Sequence, residues 1–170
     1  RAAGLGLRVH GNQLGPGPGI QLAVEYDAAS VDHCTYVSDD DVEALAGGNT
    51  VATLLPATDL STRQPPAPGR RLADAGAPLA LATNCNPGTS YTSSMTLVIA
   101  LAVLQCGLTA AESVYAATAG GARALRRSDV GRIKVGARAD VQVIDAPTID
   151  HIAYRVGGVG PRAVWRAGKR

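Results

Sequence analysis

With 170 residues, of which 46% are hydrophobic and 18% charged, the chain can bury a core and has the composition of one globular domain. Its net charge of +2 comes from scattered arginines, with Arg70-Arg71 and Arg126-Arg127 as adjacent pairs, too weak a field to imply nucleic acid or a membrane surface. The longest apolar run, Met95–Leu104, is too short to span a bilayer. Three widely spaced cysteines, Cys34, Cys85 and Cys106, lack metal-finger spacing and fit a reduced, cytoplasmic setting.

In chain order, Leu5–His10 reads as a first strand, and because it starts so soon after Arg1 the chain is expected to begin inside a larger domain. A Gly/Pro loop leads to a helix over Ile20–Ala29, then a strand over Ser30–Tyr36 and a helix over Asp40–Ala46 capped by Ser38. A third strand covers Thr50–Leu55, a helix Arg70–Ala75 stops at Gly76, and a fourth strand covers Leu79–Asn84. The polar strand ends fall near His10, His33, Pro56 and Asn84, at intervals of 23, 23 and 28 residues. Such strand-helix units are the module of a parallel α/β barrel, roughly 250 residues over eight units. Four units amount to its half.

Two more helices are expected, Thr92–Cys106 and Thr109–Leu125, the second opened by a Thr109–Glu112 capping box. The pattern then changes. Residues 131–145 alternate around Gly136-Ala137 as antiparallel strands do, and Arg162–Gly168 reads as another strand. The expected organisation is α/β, a partial barrel over 1–126 and a small β-module over 127–170.

Chemistry at a parallel sheet is sited beyond the C-terminal strand ends. His10 and His33 end successive strands and can converge, and imidazole nitrogen is a good ligand for zinc or iron. His151, in the β-module, reads as a surface or packing residue. Asn84 stands where a hydrolytic site would want a carboxylate. Its amide ligates weakly through oxygen and cannot accept a proton from water. Asn86-Pro87-Gly88 is a turn signal, and Gly88 with Thr89 could alternatively offer free N–H and hydroxyl groups to a carboxylate. Nothing adjacent would activate Cys85, which is expected to pack. The Gly15-Pro-Gly-Pro-Gly19 loop lacks two N–H donors and matches no nucleotide fingerprint.

Several segments together resemble the imidazolonepropionases of the metal-dependent amidohydrolase superfamily: Val-His-Gly-Asn-Gln-Leu-Gly (9–15), Val-Asp-His-Cys (31–34), Leu-Ala-Thr-Asn-Cys-Asn-Pro-Gly-Thr-Ser (81–90) and, less specifically, 130–140. The likeness covers nearly the whole chain, as the C-terminal portion of such an enzyme. It implies a cytoplasmic hydrolase of histidine degradation that opens 4-imidazolone-5-propanoate to N-formimidoyl-L-glutamate with one zinc or iron ion. By that resemblance His10 is a metal ligand, Gln13 contacts substrate, and His33 polarises the ring carbonyl or orients the water. Asn86, Gly88 and Thr89 hold the substrate, and 127–170 belongs to a composite β-sandwich. The family pattern has Asp at position 84, as metal ligand and proton carrier, and a His-x-His pair for which this chain has no counterpart. A small-molecule substrate and a homodimer are the partners the resemblance admits. The competing expectation is a non-catalytic fragment or degenerate paralogue that binds a carboxylate ligand or a partner chain; a deaminase is disfavoured by 86–90.

Overall fold

Four short strands, β1 (Arg8–Gly11), β2 (Ser30–His33), β3 (Val51–Leu54) and β4 (Leu79–Leu81), form one parallel sheet in sequential order in a computed structural model that describes residues 3–170. Val9 lies opposite Val31, Val31 opposite Ala52, and Thr53 opposite Ala80. Between the strands run α1 (Gly19–Glu25), α2 (Asp39–Gly47), α3 (Pro56–Ser61) and α4 (Gly69–Asp74). Residue alternation divides the strands into two faces. Val31, Ala52, Leu54 and Leu81 pack against the helices with Ile20, Leu45 and Leu72. The other face carries Arg8, His10, Ser30, Asp32 and Thr53, with a small apolar patch of Val51, Ala80 and Ala124.

The strands end earlier or later than their apolar runs, and at β1 and β2 the reason is local. Asn12, His33 and Cys34 adopt positive φ, at 55°, 87° and 52°, so extended pairing stops there. Asp27, at φ 46°, likewise ends the α1 turn well before Ala29. Helix α3 was not anticipated; Pro56 at its first position lacks only an N–H that would go unpaired.

The Ser38 and Thr109 N-caps form as anticipated, while the cap expected at Thr92 falls to Ser94. Asp41 N donates to Ser38 Oγ at 3.1 Å and Ser38 N to Asp41 Oδ2 at 3.0 Å. Glu112 N donates to Thr109 Oγ1 at 3.2 Å and Thr109 N to Glu112 Oε2 at 2.8 Å. Helix α5 (Met95–Leu104) starts later than Thr92 because Ser94 is its cap, accepting from Leu97 N at 3.2 Å. Apart from Thr96, whose hydroxyl donates to Val159 O at 2.8 Å, it is apolar all round, and Val98–Ala102 are buried. The last long helix is interrupted: α6 (Ala110–Tyr115), a π-helical turn (Ala116–Gly120), then α7 (Gly121–Ala124). The wider turn brings Gly120 against the Leu79 carbonyl at the start of β4.

Arg70 ties α4 to α6 by a two-pronged pair with Glu112, at 2.9 and 3.0 Å. That guanidinium, followed by the Thr109 N–H and hydroxyl, lowers the Glu112 carboxyl from 4.5 to about 2. A folded-state value below the unfolded one gives stability that is complete above 4.5 and is lost as pH falls through about 2. Across that window the urea midpoint of the native chain should fall more steeply than that of Glu112→Gln, which has no charge to lose; parallel curves would refute this.

Beyond Arg126 the expected hairpin over 131–145 does not form. Its turn is present, with Ala137 N donating to Lys134 O at 3.0 Å, but nothing pairs with 132–135, and Ile133 and Val135 are 93% and 100% exposed. Instead β5 (Val141–Ile144) pairs antiparallel with β6 (Pro161–Trp165), Val143 opposite Ala163. Alternation assigns faces to a strand; it does not choose the partner. Between them lies a further unanticipated helix, α8 (Asp150–Tyr154), which packs on α5 and carries His151, its ring 5.5 Å from that of Tyr154.

Candidate functional site

His10 and His33 meet. Their ring centroids are 4.3 Å apart at the C-terminal ends of β1 and β2, and both line a cavity of about 310 Å³ with Arg8, Asp32, Thr53 and Asn84. The register sets His10 opposite Asp32 and Gly11 opposite His33, so alternation alone would turn His33 to the helix-packed face; its left-handed backbone, φ 87°, breaks the alternation, and its ring lines the cavity beside His10. Cavity-facing residues beneath them form a polar chain. Arg8 donates to Ser30 Oγ at 3.0 Å and to Ala124 O at 2.6 Å, and Ser30 Oγ donates to Asp32 Oδ1 at 2.8 Å.

His33 is 2% exposed, and its Nδ1 is buried with no hydrogen-bond partner. Burial, reinforced by neighbouring His10 and partly opposed by Asp32, lowers its pKa from 6.5 to about 4. At neutral pH the ring is therefore uncharged. His10 is exposed, with Nε2 2.7 Å from Gln13 Oε1, so Gln13 joins the site through that imidazole.

Asn84 Nδ2 donates to Thr58 Oγ1 at 3.0 Å. Thr58 is fully buried in α3 and escaped the sequence reading, as did Arg8, Asp32 and Thr53. Thr53 Oγ1 is another buried atom without a partner. Alternation along the strands could have marked Asp32 and Thr53 as facing the same way as His10, but nothing local marks Thr58.

Asn86, Gly88 and Thr89 lie outside the cavity lining, in a loop closed on itself. Asn86 Oδ1 accepts from Gly88 N at 2.9 Å and Thr89 N at 2.8 Å, and Asn86 Nδ2 donates to Asn84 O at 2.6 Å. The two N–H groups expected to be free are held by Asn86. Ser90 Oγ anchors the loop on Thr83 O at 2.8 Å, and Ser61 Oγ donates to Thr89 O.

Cys85 does not pack. With β4 ended at Leu81, the in-out alternation no longer reaches it, and it is exposed. Cys34 and Cys106 are buried, and burial pushes the Cys106 thiol up to about 12.

The described residues of this chain do not by themselves fit a metal ion. Among them no group of three or more His, Cys, Asp or Glu side chains is placed to hold one. Asn84 directs its amide nitrogen at Thr58, and one imidazole with a weak amide falls short of the three or four ligands a protein zinc site uses. Nor, among the described residues, is any helix long and apolar enough to cross a membrane.

Relatives bear on both fold and site. The chain is 63% identical over 171 residues to imidazolonepropionase of Saccharopolyspora erythraea, covering 98% of this chain and 44% of that protein. It is 59% identical over 170 residues to imidazolonepropionase of Streptomyces griseus, covering 100% and 44%. The chain thus spans less than half the length of these relatives. In fold it is similar to an adenosine deaminase from Xanthomonas campestris solved with bound zinc (TM-score 0.77, 22% identity, 97% of this chain and 45% of that one). An amidohydrolase from a Sargasso Sea sample is likewise similar (TM-score 0.75, 26% identity, 99% and 42%). The amidohydrolase family pattern matches residues 19–170, and with a parallel α/β sheet that gathers polar groups at its C-terminal edge, the chain belongs to the amidohydrolase family.

Proposed function

We propose that the whole protein opens the ring of 4-imidazolone-5-propanoate with water to give N-formimidoyl-L-glutamate, and that this chain supplies the C-terminal part of the site. The observation that carries the reading is the meeting of His10, His33 and Asn84 at one cavity, in a chain 63% identical to an enzyme named imidazolonepropionase. The architecture proposed with it is half of a (β/α)8 barrel over 1–126 followed by part of a β-sandwich over 127–170. Sequential strand order without reversal favours a barrel over a doubly wound sheet. The proposal places the protein in the cytoplasm, admits a homodimer, and includes one zinc or iron ion to which this chain contributes His10, the other ligands lying outside it.

The residues divide the work as follows. His33, neutral and with Nδ1 unpartnered, polarises the ring carbonyl or orients the attacking water. Gln13, already bonded to His10, contacts the ring. Asn86 rotates out of its turn, and the N–H groups of Gly88 and Thr89 then hold the carboxylate end. In this mechanism position 84 should carry the proton, and Asn84 cannot.

The test is formimidoylglutamate formation by the intact protein. Slow ring opening that disappears in His33→Ala is expected. The second reading, a degenerate paralogue that only binds, rests on Asn84 and the short ligand set. It prevails if the protein binds imidazolonepropanoate without turnover and Asn84→Asp restores none.

A further inference from the structure

A second cavity, of about 800 Å³, opens at the other end of the sheet from the imidazoles. Asp27 and Ala29, which lead into β2, and Asn49, which precedes β3, form one side. The other side carries four guanidinium groups, Arg123 from α7 and Arg126, Arg127 and Arg132 from the segment after it, together with Ser128 and Tyr115.

Two of these arginines are already answered. Arg126 Nη2 donates to Asp27 O at 2.5 Å and Oδ2 at 3.0 Å. Arg127 grips Asp129 through Nε at 2.9 Å and Nη2 at 2.5 Å. The side chains of Arg123 and Arg132 make no hydrogen bond or ion pair among the described residues, which leaves an excess of two positive charges around one concavity. Arg126 also holds left-handed backbone, φ 51°, just past a helix end where glycine would cost least, and its guanidinium is what reaches across to Asp27.

We propose that this cavity binds the dianionic phosphate group of a small molecule. Two unpaired planar forks match the oxygens and the charge of a phosphate dianion, and the Ser128 hydroxyl adds a donor. The volume lies in the range of small-molecule sites, about 300–1,000 Å³. The charges line a concavity and two are neutralised, so they make no stripe of the kind that tracks a nucleic-acid backbone. Occupancy would tie the segment after α7 to the feet of β2 and β3. The site is independent of the ring-opening reading.

The test is calorimetric titration of the intact protein with inorganic phosphate at constant ionic strength, with melting followed in parallel. A saturable isotherm and a rise in Tm are expected. Each charged hydrogen bond is worth roughly tenfold or more, so Arg123→Gln with Arg132→Gln should weaken phosphate about 100-fold, while Arg155→Gln, on a remote surface, binds as the parent does. If the double Gln variant does not fold, Arg123→Lys with Arg132→Lys, which keeps charge but loses the forks, should still weaken binding about tenfold. Ribose 5-phosphate binding more tightly than phosphate, with ribose silent, identifies a phosphomonoester; equal binding identifies phosphate itself. Either supports the site. Chloride reproducing the Tm shift, variants binding like the parent, or an oligonucleotide binding through these arginines where phosphate does not, would overturn it.

Discussion

Asn84→Asp in the intact protein should raise turnover of 4-imidazolone-5-propanoate by about 10²–10⁴-fold, the usual worth of a positioned general base. The substitution is nearly isosteric, and its neighbour is prepared for it. Thr58 Oγ1, which accepts from the Asn84 amide at 3.0 Å, is a hydroxyl and can equally donate to a carboxylate. No repacking is needed around that fully buried threonine. The new charge would also face His10 and His33 across the cavity and oppose the burial that holds His33 near 4. The gain should appear in kcat more than in KM, because the carboxylate acts on the proton in flight and leaves substrate contacts as they were. Steady-state kinetics of the two proteins decide it: equal kcat would remove position 84 from the chemistry.

Gly120→Ala should destabilise the fold by about 2 kcal/mol, although helix propensity alone predicts the reverse. In a helix interior, alanine is favoured over glycine by about 1 kcal/mol. Here, however, an added Cβ would overlap the Leu79 carbonyl oxygen, a backbone atom that no rotamer change can move. Overpacking of that kind typically costs about 1–3 kcal/mol and sometimes more. The π-helical turn must then separate from β4, whose C-terminal end leads to Asn84. A lower urea midpoint with an unchanged slope is expected, and a midpoint at or above that of the parent would refute the packing argument.

Much of the sheet was legible because its signals are short-ranged. Each apolar run ends in a change to polar residues that marks where the sheet delivers side chains to solvent, and Ser38 and Thr109 cap through bonds to residues three positions on. Stopping points were less legible. The left-handed backbone at Asp27, His33 and Asn84 depends on what the following loop must reach; Asp, His and Asn enter it more readily than most residues, yet Asp32 and His10 stay extended within their strands. The substrate loop was legible as a turn. That Asn86 fastens its N–H groups was not, because an Asx turn and an open anion cradle use the same residues.

By itself the sequence determined the order of the four parallel strands, the period of the strand-helix units, and the placing of His10 and His33 at the ends of β1 and β2 and of Asn84 after β4. Periodicity and capping act over about four residues and are written locally. Tertiary structure alone decided which groups touch. It set the two imidazoles 4.3 Å apart, gave Asn84 its Thr58 partner, paired β5 with β6 instead of 132–135, and gathered arginines at the sheet's far end. Contacts of that kind depend on which surfaces are buried together, and a change at either partner alters them without changing the local pattern of the other.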